Sequence, residues 1–331
     1  MHSETLQWTH GSSRTAHNEL TLAVLAGLQQ RPRQIASKYF YDAAGSALFD
    51  RICALPEYYP ARTESKILAE HAPQIAAQMG PHAEIVEFGA GSMTKMRVLF
   101  DAFEAADRPL RYLPIDVSAE HLANAARRLR ADYPHISVHP LAADYTRPLL
   151  LPARLPGSGR RIGFFPGSTI GNFLPADART FLQFAGHLLR GGGLLIGVDL
   201  VKHPASLHAA YNDSQGITAA FNLNLLRRIN DELGADIDVD GFAHYAFYEP
   251  HLQRIEMHLV SLRAQRLHIA GQDFHFDAGD SIHTENSHKF SIDGFRTLAI
   301  AAGWRPGPAW VDKDRLFSVH WLHAPDAHRS P

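Results

Sequence analysis

From Ile85 to Leu200 short apolar runs alternate with stretches whose apolar residues recur at helical spacing. The runs IVEFG, RYLPIDVS (Arg111 to Ser118), ISVHPLAADY (Ile136 to Tyr145), RIGFFPGST (Arg161 to Thr169) and GGLLIGVDL (Gly192 to Leu200) read as strands. Between most of them MTKMRVLFDAFEAA, AEHLANAARRLRADY and ADARTFLQFAGHLLR read as helices. Such alternation predicts an α/β fold, a parallel sheet with helices on both faces, and a ligand beyond the carboxyl ends of the strands.

The flanks follow a different rhythm. Residues 202–235 read as mostly helical, after which HYAFYEP, RIEMHLVSLRAQRLHIAG and QDFHFDAGDSIHTENS alternate like antiparallel strands joined by turns. The helix GFRTLAIAAG and the strand LFSVHWLHA then restore sheet-and-helix character. The expected organisation is a ligand-binding domain, 63–201 and 289–331, interrupted by an insertion. The N-terminal helices end in the turn-rich stretch LPEYYPARTE, bracketed by Pro56 and Pro60, and join that insertion as an α+β cap, 1–62 and 202–288. GSGRR, Gly157 to Arg161, reads as a surface loop.

Composition narrows the function classes. The 331 residues are 45% hydrophobic and 20% charged, an ordinary globular balance. A net charge of −2 and the lack of any Lys/Arg run argue against nucleic acid and for a small-molecule partner. Cys53, the single cysteine, rules out an internal disulfide or a cysteine metal cluster. The first residues lack the layout of a signal peptide, and no apolar run approaches the roughly 20 residues of a membrane span. A cytoplasmic protein with no membrane partner is expected. The 21 histidines are scattered; His244, His251 and His258 recur every seven residues, not at the spacing that sets two ligands on one helical face, so no metal is expected.

Candidate chemistry begins at IVEFGAGSMT, where a strand carrying Glu87 runs into a Gly-x-Gly turn. Gly89 and Gly91 allow positive φ and close approach to a ligand, but Thr94 stands where a nicotinamide fingerprint has its third glycine. Asp116, 25 residues beyond Gly91, suits the two hydroxyls of a ribose; as a plain helix cap it would be redundant with Ser118. Asp144 and Tyr145, at the end of the third strand, suit an adenine edge, or else a turn. Lys95 in the following helix can reach a ligand carboxylate or remain a solvated lysine. After the fourth strand, FFPGSTIGNF places Ser168, Thr169 and Asn172 where polar groups meet a substrate.

E-x-G-x-G followed by an acid after the next strand resembles the first motif of the class I S-adenosylmethionine (AdoMet) dependent methyltransferases. Beyond it, YFYDAAGSALFDRICALPEYYPARTE, GSTIGNF, DLVKHPASLHAAYNDSQGITAAFNLNLLRRIN, RIEMHLVS and HTENSHKF occur in an order and spacing that resemble the histidine N-alpha-methyltransferases of ergothioneine biosynthesis, over roughly Leu20 to His320. The resemblance implies a Rossmann-like class I methyltransferase sheet with a substrate-binding cap. It implies AdoMet contacts at Tyr41, Gly89, Lys95, Asp116, Asp144 and Tyr145, the last replacing a frequent phenylalanine. Substrate contacts would fall on Tyr58, Asn172, Tyr211, Met257, Glu285, Asn286 and Ser287. Of these, Asn172 and Tyr211 would hold the α-amino and α-carboxylate groups in the catalytic role. Glu285 and Ser287 would grip the imidazole, Met257 would pack beside it, and the Asn286 side chain, between them on the strand, would face away.

The implied reaction is an in-line methyl transfer to an unprotonated amine, which needs orientation and exclusion of water rather than a covalent nucleophile or a metal. L-histidine and its mono- and dimethylated intermediates would be the partners of a monomeric enzyme, with rings such as Tyr41, Tyr58 and Phe221 facing the growing positive charge. Three alternatives stand beside it: an N-methyltransferase for another aromatic amino acid, a nicotinamide-dependent oxidoreductase, and a non-catalytic AdoMet- or histidine-binding protein.

Overall fold

The expected apolar runs form strands, and their alternate residues enter two different cores. In the computed structural model of the protein, residues 13–325 are described. Residues 1–12, part of the stretch read for a signal peptide, lie outside the described residues, as do 326–331. The chain divides into two compact units: Met1–Phe40, Ala219–Tyr245 and Met257–Glu285 form one, and Tyr41–Thr218, Ala246–Glu256 and Asn286–Pro331 the other.

The larger unit is built on a sheet whose strands run in the order Arg305–Val311, Phe317–His323, Gly193–Asp199, Arg161–Phe165, Glu84–Phe88, Arg111–Asp116 and Ser137–Val138, with Leu141–Ala142 also paired to Arg111–Asp116. It is parallel except for Phe317–His323, which is antiparallel to both neighbours. Ile85, Tyr112, Ile162, Phe164 and Leu195 point into a core completed by Ile67 and Ile75 of helix Tyr59–Met79, Met96 and Leu99 of helix Thr94–Phe100, and Leu122 and Leu129 of helix Ala119–Asp132. Val86, Phe88, Leu113, Ile115, Phe165 and Val198 enter a second core with Phe181 and Leu182 of helix Pro175–Leu188 and Phe295 of helix Ile292–Ala301. Each such side chain removed from water contributes about 2 kcal/mol, which is why these strands read as continuous apolar runs. The order, with its reversed strand beside Gly193–Asp199, is that of a class I methyltransferase sheet.

Several expectations change. The turn-rich reading of LPEYYPARTE holds only to Tyr58: Tyr59 already begins a helix, with Pro60 in its first turn, where a missing N–H costs nothing. The domain boundary expected at residue 63 therefore falls inside a helix. The run Ile136 to Tyr145 yields two two-residue strands, leaving Asp144 and Tyr145 in a turn beyond them. The helix after the glycine turn stops at Phe100, and the edge strand Arg305–Val311 carried no readable signal because Pro306, Gly307 and Pro308 interrupt it. Arg161, where the loop reading and the strand reading met, opens the strand as the second expected and pairs with the fully buried Glu84 at 2.8 Å.

The smaller unit holds helix Ser13–Gln29, most of helix Ile217–Leu233 and an antiparallel hairpin, Gln265–Ile269 with Gln272–Phe276. Strand Arg33–Gln34 pairs in parallel with Ser281–His288, in a sheet continued by Arg254–Ser261 and Phe242–Glu249. Buried Arg33 stacks 3.9 Å from the centroid of Phe276 and donates to Asp280 at 2.8 Å, which offsets its desolvation.

Candidate active site

At the carboxyl end of Glu84–Phe88, Gly89 and Gly91 hold φ of 71° and 48°, a region costly for any residue with a Cβ. The turn is pinned to the next strand, because the Gly89 and Ala90 amides donate to Ile115 O at 2.9 and 3.0 Å. The Gly91 amide donates to Asp116 Oδ2 at 3.0 Å, and Ser118 N donates to Asp116 Oδ1 at 3.0 Å. The Ser118 amide precedes helix Ala119–Asp132, so Asp116 shapes the turn into that helix rather than capping it, and the Ser118 hydroxyl expected to cap makes no cap bond. Each carboxylate oxygen retains a second acceptor site, and Asp116 is only half-buried, so two hydroxyl donors still fit it. A Cβ added at Gly91 would meet nothing within 4 Å, whereas one at Gly89 would lie 3.5 Å from Tyr145 Oη. The Tyr145 ring edges against the turn and packs with Phe88, Phe165 and Phe181 at centroid distances of 6.3, 5.7 and 6.1 Å. Asp144 accepts from Thr146 N and Oγ1 at 2.9 and 2.5 Å, the hydrogen bonding of a turn.

Two buried acids lie on the core side of the turn. Burial pushes the Glu87 carboxyl up to about 8 against the hydrogen bond it accepts from Tyr112. Glu64, with no exposed side-chain surface, pairs with Lys95 Nζ at 2.5 Å and accepts from Gly167 N at 2.9 and 3.1 Å. Lys95 is therefore not a solvated lysine: its ammonium is tied through Glu64 to the turn preceding Ser168. Gly197 makes the room, since a Cβ there would fall 2.0 Å from Glu64 Oε1.

The second cluster gathers at the ends of Gly193–Asp199 and Ser281–His288. Tyr211, from helix Pro204–Tyr211, donates its hydroxyl to Ser287 Oγ at 2.7 Å. Lys289 Nζ donates to Ser287 Oγ at 2.7 Å and to Tyr211 Oη at 3.1 Å, and pairs with Asp199 Oδ2 at 2.7 Å. Asp199 also takes Lys202 Nζ at 2.5 Å and the Tyr59 hydroxyl at 2.8 Å, while its own amide donates to Ser168 Oγ at 2.8 Å. Burial works against the charge on Asp199, but the two ammoniums outweigh it and hold the carboxyl below its ordinary range. Burial likewise opposes charge on Lys289, and Asp199 more than compensates; at Lys202 burial wins and brings the ammonium down to about 8.

The other expected residues divide between the units. Tyr41, Phe49, Tyr58 and Tyr211 form an edge-to-face chain with successive centroid distances of 5.6, 6.3 and 6.3 Å. Asn172 closes the short turn Thr169–Asn172, which is held against the strand carrying Ser287 by His288 Nδ1 donating to Gly171 O at 2.9 Å. Asn286 is adjacent to Ser287 and so leaves the opposite face of the strand, where its Oδ1 is buried without a partner. Met257 and Glu285 belong to the smaller unit. There Met257 and Leu259 are buried on one face of their strand, and Glu285 is half-buried. Phe221 is also core of that unit, 4.6 Å from Phe40. His258, one of the three histidines that recur every seven residues, and His283 bring their ring centroids within 4.9 Å.

Asp199, Lys289, Tyr59, Lys202 and Glu64 were not singled out by sequence. Asp199 and Lys289 do lie inside the quoted segments DLVKHPAS and HTENSHKF, yet only the fold shows that these meet.

Comparison with known proteins agrees with this geometry. A family model described as histidine-specific methyltransferase, SAM-dependent, matches residues 20–324. The histidine N-alpha-methyltransferase of Mycolicibacterium smegmatis is 41% identical over 301 residues, covering 90% of this chain and 92% of its own. That of Mycobacterium tuberculosis is 38% identical over 313 residues, covering 94% and 96%. Ergothioneine biosynthesis protein 1 of Neurospora crassa is 35% identical over 237 residues, covering 66% of this chain and 27% of its own. The chain belongs to the histidine-specific, AdoMet-dependent methyltransferase family.

Proposed function

We propose that the protein transfers three methyl groups from AdoMet to the α-amino nitrogen of L-histidine, yielding N,N,N-trimethylhistidine (hercynine) for ergothioneine synthesis. The observation that carries this reading is the joining of Tyr58, Tyr211 and Ser287 into one cluster in the unit that also bears the glycine turn. The resemblance implies that such a cluster meets the amino acid and such a turn the methyl donor.

AdoMet fits the turn: space is open over Gly91, Asp116 has acceptor sites for a ribose, and Tyr145 flanks an aromatic surface suited to adenine. It supplies a methyl group on a sulfonium, already activated. The chain's own residues must bind the amino acid, keep its amine unprotonated and exclude water. Asn172 and Tyr211 are neutral groups suited to hold the amino-acid end, Tyr211 through its remaining acceptor site, since its hydrogen goes to Ser287 and Lys289 takes the other site. The nearest carboxylate to Tyr211 in this network, Asp199, is neutralised by two lysines, so no uncompensated negative charge stabilises the ammonium. Glu285 is read as the acceptor for an imidazole N–H.

On this reading residues 63–201 and 289–331 carry the cofactor and 1–62 and 202–288 contribute the substrate side, in a monomeric cytoplasmic enzyme that needs no metal. Among the described residues no helix is long and apolar enough to cross a membrane. Two of the relatives above are named as methyltransferases and none as an oxidoreductase, so the oxidoreductase alternative is not better supported. Thermal-shift titration tests the assignment of the turn: AdoMet and its demethylated product raise the melting temperature, NAD and NADP do not. A shift with the dinucleotides alone contradicts it.

A further inference from the structure

Lys289 has no exposed side-chain surface, and its ammonium spends its three hydrogens on Asp199 Oδ2 (2.7 Å), Ser287 Oγ (2.7 Å) and Tyr211 Oη (3.1 Å). It cannot swing away, because Asp199 is fixed in turn by Lys202, the Tyr59 hydroxyl and the turn at Ser168. Ser287 Oγ accepts from Lys289 and also from Tyr211 at 2.7 Å. A serine hydroxyl has two acceptor sites and one hydrogen. With both acceptor sites taken, only the hydrogen remains to be offered.

We propose that Lys289 is a positioning residue for substrate selection: anchored on Asp199, it commits the Ser287 hydroxyl to donate, so that the substrate atom opposite Ser287 must be a hydrogen-bond acceptor. This rests on the histidine reading and deepens it. A neutral imidazole has one ring nitrogen that only accepts, and an imidazolium or a hydrocarbon ring has none. Lys289 therefore sets which ring, and which form of it, the serine takes. Substrates that present a donor at this point would leave two hydrogens facing each other, a mismatch that a buried site rejects strongly.

The probes are histidine analogues used as competitive inhibitors. The two thiazolylalanine isomers keep one acceptor nitrogen and no N–H; thienylalanine keeps neither. In the wild-type enzyme the better thiazolyl isomer binds about tenfold or more tighter than thienylalanine, the cost of leaving a committed buried donor unpaired. In Lys289→Met that ratio falls toward one while AdoMet affinity is retained, and Lys289→Arg restores part of it. Ser287→Ala, which leaves Lys289 on Asp199 and so does not depend on the lysine variant folding, collapses the ratio equally, and the double variant loses no more than either single one. Discrimination that survives in Ser287→Ala, or in a folded Lys289→Met, overturns the proposal, as does an additive double variant. Failure of the histidine reading is distinguishable, since wild-type enzyme would then not methylate histidine at all.

Discussion

The proposed function gives Asp116 and Glu285 separable tasks, and removing each one separates them experimentally. Asp116 is fixed by the Gly91 and Ser118 amides, which leave acceptor sites for the proposed ribose contact. Asp116→Ala should weaken AdoMet binding by about ten- to hundredfold, the value of one or two charge-assisted hydrogen bonds, with a smaller loss for histidine. Glu285→Ala should do the reverse. Calorimetric titration of both variants with both ligands reads the pattern directly, and equal losses for the two ligands in Glu285→Ala would remove its imidazole role. A different residue contributes to acid stability. Burial brings the His320 ring down from 6.5 to about 4. Between those values the unfolded chain takes up a proton that the folded chain refuses. The contribution is thus complete above pH 6.5 and is lost as pH falls toward 4, about 3 kcal/mol in all. Urea unfolding of His320→Asn should show a shallower stability loss across that window than wild type; parallel curves would mean that the ring is not desolvated.

At the scale of elements, the strands were readable because both faces are buried, which writes an unbroken apolar run into the sequence. Helix Tyr59–Met79 shows where such reading stops: Pro60 is turn chemistry in isolation, and only its place in a first helical turn makes it compatible with a helix. Strand Gly193–Asp199 holds a quieter dependence. Gly197 leaves the volume filled by the Glu64 carboxylate, which ties Lys95 to the turn at Gly167. Gly197→Ala should displace that carboxylate and leave a buried charge poorly paired. It should destabilise the protein by about 3–5 kcal/mol and weaken AdoMet binding as well. Chemical denaturation checks the first effect and calorimetry the second. A loss below about 1 kcal/mol would mean that Glu64 relaxes freely.

For the whole molecule, the glycine turn with Asp116 was legible because its signal is local, a strand and a glycine pair with an acid one strand later. That Tyr211 and Ser287 belong together was legible only through the resemblance to a family, since they stand 76 positions apart and meet through the fold. Asp199 and Lys289 were missed for the same reason: a lone aspartate and a lone lysine look solvated until topology buries them against each other. Met257 is buried on its strand with Leu259, a place that the alternation in RIEMHLVS itself writes into the sequence. What joins these parts is a single claim, that the amino group of histidine is methylated three times. Mass spectrometry of L-histidine incubated with the protein and AdoMet tests it most directly. The account predicts products heavier by one, two and finally three methyl groups, with the last accumulating; histidine that returns unchanged in mass, while AdoMet is shown to bind, would contradict it.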